Sequence, residues 1–103
     1  MDNPNLIKPK FSVIMLIYHR SPELVQMARD CAYSVRNCSE DFEFIIVDNG
    51  STEKYDWASE CDTYVRFKTN MGISHGWNTG LRVSKGKYKV IIGDDILVRK
   101  GWL

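Results

Sequence analysis

Two apolar runs in this chain lead into carboxylates. Asp48 directly follows Phe42 to Val47, and the pair Asp94-Asp95 follows Tyr88 to Ile92 across Gly93. An Asp after a strand has an ordinary use, because its side chain bonds nearby amides and closes the turn. Turn closure and ligand binding both stay open for Asp48. For Asp94 and Asp95 turn closure alone is a weaker account, since adjacent carboxylates repel and a buried strand leading into them offers little solvation. A divalent cation relieves that repulsion, and carboxylate oxygens suit magnesium or manganese. The glycines do not make a standard phosphate loop. Gly72, Gly76 and Gly80 stand four apart, unlike GxGxxG, and Gly80 to Gly86-Lys87-Tyr88 has five residues between its glycines and Tyr in place of Ser or Thr. The four-residue period instead puts these glycines near one helix stripe, where backbone can approach a sheet or a ligand closely. His19 and His75 lack a carboxylate partner in sequence and read as surface or partly buried histidines, weak candidates for a catalytic base.

Elements that place these residues follow from the hydrophobic pattern. Ser12 to Tyr18 is a short apolar run rich in branched residues and predicts a buried strand. Ser21-Pro22-Glu23 then supplies an N-cap, a proline tolerated at the first helical position and an acid at the positive end of the helix dipole. Leu24, Ala28, Cys31 and Val35 line one face of a helix running to about Arg36. Phe42 to Val47 is the second strand, followed by the turn-rich loop Asp48-Asn49-Gly50-Ser51-Thr52. A short polar helix is expected over Glu53 to Glu60 and an edge strand over Thr63 to Phe67, which alternates and carries Arg66. Asn70-Met71-Gly72 is a turn, Ile73 to Ser84 a helix with Ile73, Trp77 and Leu81 one turn apart and Ile73 and Trp77 expected in the core, and Tyr88 to Ile92 the fourth strand. Alternating strands and helices imply an α/β fold with a mostly parallel sheet and right-handed crossovers. The first two strands, being the most apolar, are central, and the expected order is 3-2-1-4. Ligands in such sheets sit beyond the carboxyl ends of the strands, near the point where strand order reverses.

Composition narrows the class. The 103 residues suffice for one domain, with 44% apolar and 26% charged residues, which excludes intrinsic disorder. A net charge of +1 argues against a nucleic-acid partner bound through bulk charge. Three cysteines, Cys31, Cys38 and Cys61, make an odd count without CxxC spacing and read as reduced thiols of a cytoplasmic protein. No apolar run approaches the roughly 20 residues of a membrane span, and Met1 to Lys10 is a polar extension without the apolar core of a secretion signal. The sequons at Asn37 and Asn49 are therefore read as chance.

The order of motifs resembles the N-terminal half of the family 2 glycosyltransferases of the GT-A fold, a Rossmann-like nucleotide-binding architecture. Leu16-Ile17-Tyr18-His19-Arg20 stands where the family has an apolar strand ending in Pro-Thr-Tyr-Asn-Arg, and Val47-Asp48-Asn49-Gly50-Ser51-Thr52 matches the end of its second strand. Asn70-Met71-Gly72, Asn78-Thr79-Gly80 and Lys85-Gly86-Lys87-Tyr88 follow in order, and Gly93-Asp94-Asp95 with Gly101-Trp102-Leu103 stands for the DxD-like motif and its sequel. The resemblance covers residues 11 to 103 and implies the donor-binding half of an inverting enzyme that transfers a sugar from a nucleotide-diphosphate sugar to an acceptor hydroxyl. It assigns Tyr18, Arg20, Asp48, Asn49, Gly50, Ser51, Asn70, Gly72, Asn78 and Asp94 to the nucleotide and Asp95 to a divalent cation, Mn2+ or Mg2+. Asp48 is expected to hydrogen-bond the base, with Tyr18 beside it. Two departures matter. Leu16-Ile17 removes the hydroxyl of Pro-Thr, and Gly93 replaces the first acid of DxD. Strand alternation would then turn Asp94 and Asp95 to opposite faces, leaving Asp95 to the metal. The family's catalytic base and acceptor surface belong to a second half, so these residues are expected to be a truncated domain, inactive alone. The alternative is a non-catalytic nucleotide-binding or assembly module of the same fold, dimerising through uncovered apolar surface.

Overall fold

The computed structural model describes residues 8–37 and 40–103. Cys38 and Ser39 of the Asn37-Cys38-Ser39 sequon and residues 1–7 of the polar extension at 1–10 lie outside the described residues. In chain order the elements are β1 (Phe11–Ile17), α1 (Pro22–Arg36), β2 (Phe42–Asp48), a short 3-10 turn (Trp57–Glu60), β3 (Thr63–Arg66), α2 (Ile73–Val83) and β4 (Tyr88–Ile92). The sheet order is β3-β2-β1-β4 and every pairing is parallel. This is the expected 3-2-1-4 arrangement.

Handedness explains where the helices lie. The chain moves one way from β1 to β2 and the other way from β3 to β4, so two right-handed crossovers land on opposite faces. On one face Val13, Met15, Ile17, Phe44 and Ile46 pack with Val25, Ala28, Cys31, Ala32 and Val35 of α1, and Trp57 closes the layer. On the other, Ile14, Ile45 and Val47 meet Leu16, Trp77 and Leu81. Each fully buried branched or aromatic side chain here contributes roughly 1.5–3 kcal/mol. Gly76 and Gly80 let α2 lie close on β1. A Cβ on Gly80 would come 2.5 Å from Ile14 Cγ2, and one on Gly76 would overlap Leu16.

Several expectations shift in detail. Ser21 caps α1 as read, its hydroxyl accepting from the Leu24 amide at 3.4 Å with Pro22 in the first turn. Ala28, Cys31 and Val35 face the sheet as read, but Val25 and Ala32 join them and Leu24 is 41% exposed, because in the first turn it is Val25 that turns to the sheet. Only Trp57–Glu60 of the expected Glu53–Glu60 helix is helical, as a single 3-10 turn. Ile73 is 68% exposed rather than in the core. Gly80 lies over Ile14 and Gly76 over Leu16, so the next turn of α2 toward its start passes beyond Ile17, where β1 ends. No helix among the described residues is long and apolar enough to cross a membrane.

Candidate functional site

The chain leaves β1 toward β2 on one side and returns to β4 on the other, so strand order reverses between β1 and β4. A crevice outside the carboxyl ends is the expected ligand position there. Four loops converge on it: 18–20, 48–52, 67–72 and 93–95.

The loop after β2 is the organiser. Asp48 is 1% exposed. Its Oδ1 accepts from the Ser51 amide at 2.8 Å, and its Oδ2 accepts from the Tyr64 hydroxyl at 2.7 Å. The Arg66 guanidinium lies 3.6 Å from Oδ2 and donates to the Ser51 carbonyl at 2.9 Å. Burial first, and then the bond to Asp48, push the Tyr64 phenol up to about 12. Asn49 is also buried and bridges two loops. Its amide donates to the Ile17 carbonyl at 2.8 Å, its Nδ2 donates to the Gly72 carbonyl at 3.2 Å, and its Oδ1 accepts from the Met71 amide at 2.8 Å. Gly50 has φ of 86°, and a Cβ there would meet the Thr69 carbonyl carbon at 2.5 Å. Both facts require glycine. Asn70 accepts from the Gly72 amide at 2.8 Å, which shapes the turn into α2.

Tyr18 and Arg20 are exposed beside this cluster, the guanidinium 5.8 Å from the Tyr18 ring centre. Between them His19 points inward and is 1% exposed, against the expectation of a surface or partly buried histidine. Its Nε2 lies 2.7 Å from Asp94 Oδ2. The sequence offered no partner because the two residues are far apart along the chain. His19 also donates its amide to Ser51 Oγ at 2.8 Å and accepts from the Thr52 and Glu53 amides at 3.0 and 3.2 Å.

β4 ends at Ile92, and Asp94 and Asp95 form a turn. Strand alternation therefore does not separate the two carboxylates. Asp94 is taken by His19, whereas Asp95 is exposed. Gly93 allows Asp95 to fold back, since a Cβ there would stand 3.0 Å from Asp95 Oδ1. The Gly93 carbonyl accepts from the Cys31 thiol at 3.5 Å, and burial holds that thiol at about 11. Among the described residues no three of His, Cys, Asp and Glu gather to hold a metal by themselves. One exposed carboxylate fits a cation whose other ligands are phosphate oxygens and water, the usual manner of holding magnesium.

The structure thus brings Tyr18, Arg20, Asp48, Asn49, Gly50, Ser51, Asn70, Gly72, Asp94 and Asp95 to one end of the sheet. Asn78 is exposed on α2 and has no side-chain hydrogen bond among the described residues. Sequence reasoning missed Tyr64 and Arg66 as members of the cluster, and read His19, at the end of the first strand, without its Asp94 partner. For Arg66 the available signal was its charge at the end of an edge strand. A cavity of about 270 Å³ lined by Tyr33, Ser34, Asn37 and residues 98–100 lies along the later half of α1, away from these loops.

Comparison with known proteins agrees with the topology. Over 97 residues the chain is 31% identical to an uncharacterized glycosyltransferase, YfnE, of Bacillus subtilis strain 168, and the match covers 88% of this chain and 24% of that protein. The chain spans about a quarter of that relative's length. Among solved structures, S. aureus TarS 1–349 superposes with a TM-score of 0.74 at 20% identity, over 87% of this chain and 28% of the other. The mannosyltransferase PcManGT of Pyrobaculum calidifontis, solved with GDP-Man and Mn2+, gives 0.67 at 26% identity, over 88% of this chain and 29% of the other. The first of these speaks to the GT-A fold. Residues 12–103 match the family model described as glycosyl transferase family 2, and on that match, together with the sheet order, the chain belongs to this family.

Proposed function

We propose that this chain is the donor-binding half of an inverting glycosyltransferase that moves a sugar from a nucleotide-diphosphate sugar to an acceptor hydroxyl. The observation that carries the reading is the gathering of Tyr18, Asp48, Asn70, Gly72 and Asp95 at the carboxyl ends of β1, β2, β3 and β4, beside the reversal of strand order. The GDP-Man and Mn2+ in the mannosyltransferase structure support a nucleotide sugar and a divalent cation as ligands.

In this reading Tyr18 lies against the base. Asp48 accepts a hydrogen bond from it with a lone pair left over, once the Arg66 side chain, 47% exposed at 3.6 Å, moves aside. Asn49 and Gly50 hold the loop entering α2 against the nucleotide, Ser51 orders the His19 backbone, and Arg20 presents positive charge to the diphosphate. Asn78 lines the helix beside the donor sugar. Asp95 holds the divalent cation, Mn2+ or Mg2+, with Asp94 next to it. When bound, that cation offsets the charge that develops on the diphosphate as the glycosidic bond breaks. The general base and the acceptor surface are assigned to no residue of this chain, and turnover by the 103 residues alone is expected to be absent. Calorimetric titration with UDP, GDP, dTDP and CMP, each with and without manganese, tests the reading. One nucleotide binding saturably and more tightly with manganese is expected. No binding by any of them to a folded sample would sink it.

A second reading rests on exposed apolar surface. Ile91, Ile96 and Leu97 are 48%, 39% and 72% exposed near the open β4 edge, which favours an assembly module that dimerises without nucleotide. Light scattering on the nucleotide-free chain checks it, and a monomer at high concentration removes it.

A further inference from the structure

His19 is held on every side but one. Its backbone amide donates to Ser51 Oγ, and its carbonyl accepts from the Thr52 and Glu53 amides. Its ring leans on Trp57, the centroids 5.6 Å apart and the planes at 47°. Nδ1 is buried with no partner among the described residues, so the polar demand of the ring falls on Nε2 alone. Nε2 meets Asp94 Oδ2 at 2.7 Å. Asp94 is the looser partner, at 30% side-chain exposure against 1% for His19. The Asp94-Asp95 turn has a second anchor on the same side, where the Cys31 thiol donates to the Gly93 carbonyl at 3.5 Å.

From this geometry we infer that His19 is a positioning residue: it pins Asp94, sets the conformation of the acidic turn and leaves Asp95 as the carboxylate that faces the cation. The inference rests on the donor-site reading and goes beyond it, because it names the group that divides the two adjacent carboxylates and gives Asp94 a structural tie in place of a ligand contact. A neutral imidazole bonded in this way carries its proton on Nε2 and leaves Nδ1 bare. The bond ties the loop after β1 to the loop after β4 across the point where strand order reverses.

Heteronuclear NMR of the ligand-free chain reads the tautomer of His19 directly. An Nε2-protonated ring with a slowly exchanging proton is expected, and a proton on Nδ1 instead would overturn the tether. Titration of UDP and GDP with and without manganese chloride then reads the consequence. His19→Ala should cut the ratio of affinities with and without manganese by about tenfold, the equivalent of one charge-assisted hydrogen bond. Asp94→Ala should do the same, and the double variant should lose no more than either single one. Asp94→Asn, whose amide oxygen still accepts from Nε2–H, should recover most of that ratio. Additive losses, or an Asn variant as poor as the Ala variant, would make Asp94 a metal ligand in its own right and overturn the proposal. Failure of the wild-type chain to bind any nucleotide, with the Nε2–H tautomer present, would count against the donor site and not against the tether, so the two failures are distinguishable.

Discussion

At the amino end of the sheet, the Glu43 carboxylate accepts from the Ser12 hydroxyl at 2.5 Å and from the Lys85 and Gly86 amides at 2.5 and 3.1 Å. The Ser12 oxygen in turn accepts from the Gly86 amide at 2.7 Å. Ser12 and Glu43 are register partners on neighbouring strands, and the turn before β4 closes over both. These groups satisfy one another. At the carboxyl end the inner layer of Asp48, Asn49, Ser51 and His19 is likewise bonded and buried, with only His19 Nδ1 left without a partner among these side chains. Above that layer, however, Tyr18, Arg20, Asn70 and Asp95 stand exposed. The difference teaches that similar polar side chains serve two ends: one is a stitch that closes the sheet, the other a rigid platform that presents groups to a ligand. Platforms of this kind hold side chains within the tolerance that binding chemistry requires.

That contrast is breakable. The largest effect is expected from Gly86→Ala at the closed end. A Cβ there would meet the Phe11 carbonyl carbon and Ser12 Oγ, both at 2.6 Å, so backbone must shift, at a cost of about 3 kcal/mol. Chemical denaturation should record that loss, and nucleotide affinity should follow only the folded fraction. Glu43→Ala comes next, at about 1–2 kcal/mol, since it takes the acceptor from the buried Ser12 hydroxyl, while the Gly86 amide keeps its bond to Ser12 Oγ and the exposed Lys85 amide turns to water. A fall in nucleotide affinity from a fully folded Glu43→Ala sample would contradict the division of labour. Asp48→Ala belongs to both categories. It removes the partner of Ser51, Tyr64 and Arg66, so about 1–2 kcal/mol of stability should go, and nucleotide binding should weaken with or without manganese. An effect confined to manganese buffer would contradict a role at the base. Asp95→Ala is the mirror image of Gly86→Ala. Its exposed side chain should contribute less than about 0.5 kcal/mol to stability, while the manganese-dependent part of binding disappears.

Alkaline titration gives the smallest and most diffuse effect. Burial raises Cys31 and Cys61 from 9.0 to about 11, and burial with the Asp48 bond raises Tyr64 from 10.0 to about 12. All three are neutral in the fold and lose their protons more readily when unfolded. Their contribution is therefore complete below about pH 9 and is lost as pH rises through 11 to 12. Thermal melting should fall steadily above pH 9 in wild type, and Tyr64→Phe should flatten the upper part of that fall. An unchanged slope would remove Tyr64 from the account.

Much of this arrangement was open to reading before any coordinates. Short apolar runs marked β1, β2 and β4, alternation marked the edge strand β3, Ser21-Pro22 marked the start of α1, and the two most apolar strands marked the centre of the sheet. Asp48, Asn49 and Gly50 were legible as a loop because their local chemistry admits little else. The helix faces were less well read. Leu24 and Ile73, both expected on a core face, are exposed, because periodicity says that a face exists and not where the sheet beneath it ends.

The sequence by itself determined the order and type of the elements, and through them the end of the sheet at which loops with carboxylates and glycines must gather. Local patterns suffice there, because strand pleat, helix period and cap chemistry act over a few residues. Tertiary structure alone decided which side chains meet. The bond between His19 and Asp94 spans 75 positions, that between Gly86 and Ser12 spans 74, and that between Arg66 and Ser51 spans 15. Each depends on strand order and register together, because these set which loops lie side by side at each end of the sheet. For that reason the sequence divides the two acids after β4 only by strand alternation, whereas the fold turns the chain after Ile92 and divides them by placing a buried imidazole against the first.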